Sequence, residues 1–246
     1  MNEVINDSGF TISVVILSAV IIYYLYFYFV NSNLPKKYCA GITPRVKKEV
    51  MLFLTKKCSG FLILGIIPGI LYYFFLDKNF QKFGLSVNQL SNNFSIILSL
   101  IFVIIVILFV NQKANKQHNS LQINISEWNV FLFVINVSGW IIYLVGYEFL
   151  FRGILLFECN SSFGFWPAIA INIAVYSAIH MVYGKEQTVG SLIFGGIACY
   201  LTLSCGTLLI PIFMHVSLSL FSDYFSIRYN ESLSFVRYKN FHLPLK

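Results

Sequence analysis

Charged residues are scarce in this chain of 246 residues. Only 11% of its residues are Asp, Glu, Lys or Arg, while 57% are hydrophobic and the mean hydropathy is +0.74. A soluble domain carries roughly 25% charged residues. Because so few charges cannot cover a folded surface, most of the surface must face lipid. The composition predicts an all-α, polytopic transmembrane helix bundle, with residues 1–246 forming a single integral membrane domain.

Other signals are missing as well. The five cysteines form no C-x-x-C pair, which argues against a disulfide framework. The first apolar run follows Glu3 and Asp7 rather than a positively charged segment, so it is expected to be a retained helix and not a signal peptide. The net charge of +7 does not indicate nucleic-acid binding, because the cations lie between apolar runs.

Seven apolar runs approach the roughly 20 residues that a spanning helix needs. They are about 10–30, 60–76, 93–110, 130–157, 166–183, 190–204 and 207–226. If the basic loop 31–58 is cytoplasmic, fourteen Lys and Arg lie inside and only Lys78 and Lys82 lie outside. The positive-inside rule therefore predicts an outer N-terminus and a cytoplasmic C-terminus. The richness in Ile, Lys, Asn, Phe and Tyr favours a bacterial cytoplasmic membrane.

A few polar side chains interrupt the last spans, at a cost of about 2.5–3.5 kcal/mol for each charge at the bilayer centre. They are Glu148 and Arg152 in the fourth span, Asn172, Tyr176 and His180 in the fifth, and His215 and Ser219 in the seventh. Spacings of four place each set on one helix face. The predicted depths are roughly 12–20 Å from one membrane face, so Glu148, His180 and His215 are expected to meet near the midplane.

These groups suit hydrolysis of an amide bond. A carboxylate and two imidazoles can hold a water and remove its proton. Alternatively, Glu148, His180 and His215 could bind Zn²⁺ and leave one position open for water. Arg152 would orient Glu148. The simpler alternative is that Glu148 and Arg152 form a buried ion pair that only fixes helix packing.

Three motifs resemble those of the CAAX-processing and bacteriocin-processing intramembrane proteases, the CPBP or Abi family. The family patterns are E-E-x-x-x-R, F-x-x-x-H and H-x-x-x-N. Here they read Tyr147-Glu148-Phe149-Leu150-Phe151-Arg152, Tyr176-Ser177-Ala178-Ile179-His180 and His215-Val216-Ser217-Leu218-Ser219. The resemblance covers about residues 130–226, and the N-terminal spans within 10–110 carry no recognisable motif.

The resemblance implies that Glu148, His180, His215 and Arg152 are catalytic and that Ser219, Tyr147 and Tyr176 contribute to binding. In the family, the first glutamate and first histidine activate water, and the second histidine and the asparagine stabilise the oxyanion. The motifs leave open whether a metal is used. Tyr147 stands where the family has its first glutamate, and Ser219 stands where it has asparagine.

Three functions are compatible with this pattern. The first is an intramembrane endopeptidase that cleaves a membrane-associated peptide or protein, with no nucleic-acid partner. Glu148 would activate water, His180 would hold it, and His215 with Ser219 would support the oxyanion. The second is an inactive relative that acts as a membrane scaffold, immunity or partner-binding protein, which Tyr147 and Ser219 would favour. A transporter with a midplane polar site is a third alternative, but the sequence contains no inverted repeat. The pattern does not determine the oligomeric state.

Overall fold

The computed structural model describes residues 8–76, 84, 93–116 and 121–236. Lys78 and Lys82, the two cations predicted to lie outside, are not among them. Ten α-helices, two π-helical turns, one 3₁₀ turn and two short strands make up these residues: α1 (Ser8–Asn31), α2 (Leu34–Tyr38), α3 (Arg45–Phe61), a π turn (Leu62–Ile66), α4 (Ile67–Leu76), α5 (Asn93–Lys116), β1 (Glu127–Trp128), α6 (Val130–Glu148), a second π turn (Phe149–Leu155), α7 (Leu156–Phe163), α8 (Phe165–His180), a 3₁₀ turn (Met181–Tyr183), α9 (Lys185–Cys205), α10 (Leu209–Tyr229) and β2 (Ser234–Phe235).

The predicted all-α membrane bundle is confirmed. Six helical runs in the described residues are long and apolar enough to cross a membrane: Gly9–Asn31, Arg45–Phe74, Val130–Phe163, Phe165–Tyr183, Lys185–Cys205 and Leu209–Tyr229. The predicted third span, 93–110, falls within α5, where Ile96–Leu108 is a shorter apolar helix. The chain is therefore an integral membrane protein, and the six runs correspond to six of the seven predicted spans. A crossing at 93–110 stays a prediction. The direction in which they cross remains a prediction.

The second span begins earlier than its apolar composition predicts. The sequence predicts 31–58 as a basic loop, with an amphipathic cytoplasmic helix around Val46–Leu54 as the less favoured alternative. In the structure, α3 starts at Arg45 and continues through the first π turn into α4. Lys57 is only 2% exposed, and its Nζ lies 3.0 Å from the ring centroid of Trp140 on α6. The basic residues lower the mean hydropathy of this segment, and hydropathy alone does not account for a cation that packs against aromatic rings.

The α3–α4 run and the α6–α7 run cross at two glycines. A Cβ placed on Gly65 would lie 3.0 Å from the Cα of Gly146, and one placed on Gly146 would lie 2.9 Å from the Cα of Phe61. Real Cβ atoms essentially never approach as closely as the second distance. The two backbones thus touch immediately before the Tyr147–Glu148 pair, as small residues allow in membrane helices.

Short turns join the last three spans and set the position of His215. Gly206 adopts the left-handed conformation (φ 63°) that ends α9, a conformation that glycine adopts without strain. The hydroxyl of Thr207 then accepts a hydrogen bond from the Leu209 amide, at 3.3 Å, as α10 begins. Because the turn is so short, α10 packs antiparallel to α9, and it also contacts α5 and α6.

Most buried apolar side chains form one core, which includes residues of α1 as well as the motif-bearing helices. A smaller core lies beside β1, where Trp128, Ile123 and Leu132 pack with Phe53 of α3. There, β1 pairs in parallel with β2, with Glu127 opposite Ser234. This second core ties the loop before α6 to the chain that follows α10.

Between the two cores lies a group of polar side chains, here called the Lys57–Asp223 cluster, that consists of Lys57, Asn136, Trp140 and Asp223. Oδ2 of Asp223 accepts hydrogen bonds from Nδ2 of Asn136 at 2.8 Å and from Nε1 of Trp140 at 2.7 Å. Lys57 lies over the same Trp140 ring. The cluster joins α3, α6 and α10, and it contains none of the motif residues.

Candidate active site

The centre of the candidate site is the carboxylate of Glu148, which is fully buried at the end of α6. Its Oε2 lies 3.1 Å from Nη1 of Arg152, and its Oε1 lies 2.5 Å from Nδ1 of His215. His215 keeps 14% of its side chain exposed. One carboxylate therefore holds a guanidinium from its own helical run and an imidazole from α10.

A π-helical turn supplies the arginine. In the segment Phe149–Leu155 each residue advances less around the axis than in an α-helix, and such turns often occur at functional sites. Asn172 of α8 donates from Nδ2 to the carbonyl of Phe151 at 2.6 Å. The thiol of Cys199, on α9, donates to Oδ1 of Asn172 at 3.1 Å. These bonds connect the π turn to α8 and, through Asn172, to α9.

Aromatic rings enclose the guanidinium of Arg152. Its central carbon lies 3.9 Å from the ring centroid of Tyr176 and 5.7 Å from that of Phe194. Gly195 leaves room for this arrangement, since a Cβ there would lie 3.2 Å from Cδ1 of Tyr176. The arginine charge is thus balanced by Glu148 on one side and by ring faces on the other.

His180 occupies a separate wall of the site. It is the last residue of α8, and its Nδ1 is 2.7 Å from the carbonyl oxygen of Tyr176. Its ring centroid lies 4.4 Å from that of Tyr176. It makes no hydrogen bond to Glu148 or His215 among the described residues. The structure thus joins Glu148 to His215 and places His180 across the Tyr176 ring.

The two motif departures lie in different surroundings. Tyr147 is 3% exposed and its ring centroid is 5.6 Å from that of His215, so the ring forms part of the site. Its hydroxyl is buried with no hydrogen-bond partner in the described part of the chain. Ser219 lies one turn beyond His215 on α10, half-buried, and makes no hydrogen bond to another described residue.

The donor set does not fit a zinc ion. Within the described residues, no three His, Cys, Asp or Glu side chains are arranged to hold a metal. Glu148 contacts His215 and Arg152, while His180 hydrogen-bonds the carbonyl of Tyr176 and neither of the other two predicted ligands among the described residues. Since the predicted Glu148–His180–His215 ligand set is not assembled, no chemical step is assigned to a metal here.

An apolar cleft of about 370 Å³ lies against the back of the site. Its walls come from the π turn of the α3–α4 run, from α6 beside the site, and from the start of α10: Phe61, Gly65, Ile66, Gly69, Ile70, Val145, Gly146, Phe149, Leu208 and Ile212. Ile66 and Ile70 are 40% and 50% exposed, so the cleft opens on the lipid-facing surface. Gly146 is the residue immediately before Tyr147.

Some residues of this region have no motif to reveal them. Asn172 shares a helix face with Tyr176 and His180, so its position four residues earlier was a usable signal. Phe194 and Cys199 lie on a glycine-rich helix with no such pattern. Tyr23, on α1, reaches the site from a helix without any motif, and in a chain with 15 tyrosines nothing distinguishes it.

Comparison with known proteins agrees with the motifs. Residues 126–221 match the model of the Rce1-like family, which is described as "Type II CAAX prenyl endopeptidase Rce1-like". No curated protein and no solved structure matches the chain. The matched segment begins just before β1 and ends within α10, so it contains all three motifs and excludes α1 to α5.

Proposed function

We propose that this chain, whose residues 126–221 match the Rce1-like family model, is an intramembrane endopeptidase that hydrolyses a peptide bond with a histidine-activated water. The observation that carries the proposal is the 2.5 Å hydrogen bond between Glu148 and His215 beside the Arg152 guanidinium. A carboxylate, a cation and an imidazole gathered in lipid are costly, and such sets mark function by default.

His215 is a better candidate than Glu148 for the group that accepts the proton from water. Glu148 is completely buried, whereas part of the His215 side chain is accessible. A carboxylate can only accept a hydrogen bond, so Nδ1 of His215 must carry the proton between them and Nε2 keeps its lone pair. The negative charge of Glu148 then stabilises the imidazolium that forms when His215 takes a proton from water. Arg152 acts by holding Glu148 in place.

His180 would hold the attacking water. Its Nδ1 faces the Tyr176 carbonyl, an acceptor, so its proton lies there and Nε2 can accept a hydrogen bond from water. The water oxygen attacks the peptide carbonyl carbon while His215 accepts one water proton. His215 then returns that proton to the leaving amine, which breaks the C–N bond and yields a carboxylic acid and an amine. The Ser219 hydroxyl is the proposed donor to the oxyanion.

The apolar cleft supports a membrane-associated substrate. It is lined almost wholly by apolar atoms and reaches the backbone beside Tyr147. A substrate held partly in lipid could place an apolar segment there and its scissile bond near His215. We further propose that the bilayer concerned is a bacterial cytoplasmic membrane, with the C-terminus on its inner side.

The inactive alternative rests on Tyr147. In the family pattern that position is a glutamate, and here its ring packs against His215 instead. Under this alternative the same cavity would bind a peptide or partner protein without cleaving it. Replacing Glu148 would then leave function intact, while substitutions that fill the cavity would abolish it.

The test compares native strains that carry the wild-type protein, Glu148→Gln or a deletion, and maps new peptide termini in their membrane and secreted fractions. We expect termini that occur only with the wild type, and these would also identify the substrate. If Glu148→Gln matches the wild type while the deletion alone has a phenotype, the protease assignment is wrong and the binding role stands.

Glu158→Gln is the matched control. Glu158 is a second buried glutamate on the same helical run, 6% exposed and ten residues further along. The same chemical change there is expected to preserve cleavage. Membrane levels of all variants, measured by immunoblot, separate loss of chemistry from loss of protein.

A further inference from the structure

The first helix reaches the candidate site although it lies outside the matched segment. Tyr23 of α1 is 2% exposed, and its ring meets those of Tyr147 and Phe151 edge-on, with centroids 6.2 and 6.0 Å apart. Both partners belong to the helical run that carries Glu148 and Arg152. Tyr23 therefore packs against the helical run that carries the central carboxylate, although no motif marks α1.

The hydroxyl of Tyr23 extends this contact to the other wall of the site. It lies 3.1 Å from the hydroxyl of Tyr183, which belongs to the 3₁₀ turn that follows His180. The Tyr183 ring is 6.1 Å from the His180 ring and 6.1 Å from that of Phe27, also on α1. Two residues of α1 thus hold the ring that stands beside His180.

His180 needs such support because of where it lies. It is the last residue of α8, and Gly184, four residues later, has a positive φ of 103° that ends the turn. The intervening Met181, Val182 and Tyr183 are all about half exposed or more. A helix end with an exposed turn opens more readily than a packed interior. The bond to buried Tyr23 is the tertiary hydrogen bond that anchors this turn among the described residues.

We propose that α1 is a positioning element of the active site, which fixes the turn after His180, and with it the imidazole, through the Tyr23–Tyr183 hydrogen bond. The inference rests on the proposed protease function, in which His180 holds the attacking water. Tyr23 and Tyr183 touch no reacting atom in this scheme. Their loss would misplace the water rather than remove a catalytic group, and small displacements of that kind slow the chemical step.

The experiment uses the full-length protein in detergent or liposomes, with the cleaved peptide found by terminus mapping as substrate. Tyr23→Phe and Tyr183→Phe each remove one hydroxyl and keep the ring. Each is expected to lower kcat about fivefold with little change in KM, as loss of one neutral hydrogen bond would. Since both remove the same bond, the double variant should be no slower than either single variant.

Tyr24→Phe is the control. It makes the same change one residue along α1, where the hydroxyl has no hydrogen bond to another described residue, and it should leave kcat unaltered. An equal loss in Tyr24→Phe, additive losses in the double variant, or a change confined to KM would each overturn the proposal.

A second measurement does not depend on cleavage. The ¹⁵N resonances of the His180 ring, assigned by comparison with His180→Gln, should shift in Tyr23→Phe and Tyr183→Phe but not in Tyr24→Phe. If the wild type cleaves nothing while these shifts occur, the protease assignment fails and the positioning by α1 stands. If cleavage is normal and the resonances do not move, α1 has no positioning role.

Discussion

Two groups of charged side chains in the described part of the bundle, the Lys57–Asp223 cluster and the Glu148 group, are held in different ways. Asp223 accepts from an asparagine and a tryptophan, while Lys57 lies over an aromatic ring. Glu148 instead bonds a titratable imidazole that is partly accessible. In the first group, the partners of the charged side chains are an amide and an indole, which do not exchange protons at ordinary pH. In the second, the partner of the carboxylate is His215, the proposed base, which a substrate could reach.

This difference separates a structural cluster from the proposed catalytic one. A buried ion pair is weak evidence for either role by itself. What distinguishes the Glu148 group is that its imidazole, His215, is 14% exposed while Glu148 and Arg152 are fully buried. Substitutions in this group should therefore change cleavage, whereas those in the Lys57–Asp223 cluster should change stability and spare the chemistry of the folded protein.

The largest expected effect comes from His215→Gln. The glutamine amide can still donate to Glu148, so the buried carboxylate keeps a partner, but it cannot accept a proton from water. Cleavage should fall about 10³-fold, within the usual range for loss of a general base. Thermal unfolding followed by intrinsic fluorescence should move little. A protein that still cleaves at the wild-type rate would remove His215 from the chemistry.

Asp223→Ala should have the opposite profile. It removes an acceptor that serves Asn136 and Trp140 and leaves Lys57 without a nearby negative charge. Hydrogen bonds to a charged group contribute about 1.5–3 kcal/mol each, and partial exposure of Asp223 reduces this, so a loss of about 2 kcal/mol is expected. Detergent-melting curves measure the loss, and the kcat of the folded fraction should match the wild type. A large fall in kcat would join the two clusters functionally.

Lys57→Met tests the cation of the same cluster with a smaller effect. The methionine keeps most of the aliphatic stem and loses the charge over Trp140. A desolvated cation–π contact contributes about 2 kcal/mol, but removing a buried cation also removes its desolvation cost. A net loss of about 1 kcal/mol follows, visible in the same melting curves, with cleavage unaffected. A gain in stability would mean that burying the Lys57 charge destabilises the folded protein more than its contact with Trp140 stabilises it.

Much of the fold could be predicted because lipid makes hydropathy a strong constraint. The membrane helix that starts at Arg45 was not predicted, since the cations there favour a loop or a cytoplasmic helix, and the burial of Lys57 depends on Trp140, far away in sequence. The Glu148–Arg152 contact could be expected from spacing along one helix. The pairing of Glu148 with His215 rather than with both histidines could not, because it depends on the π turn and on how α10 packs after Gly206.

The smallest expected effect tests the motif departure at Tyr147, next to Glu148. Its hydroxyl is buried without a partner among the described residues, so Tyr147→Phe removes an unsatisfied group while the ring stays against His215. Stability should rise by up to about 1 kcal/mol. Cleavage should stay near the wild-type rate, because the proposed chemistry uses the ring as a wall and not the hydroxyl. Tyr147→Ala, which removes that wall, should lower cleavage. If Tyr147→Phe lowers cleavage as much as Tyr147→Ala does, the hydroxyl itself contacts the substrate, and the tyrosine replaces part of the polar role that the family gives to its first glutamate.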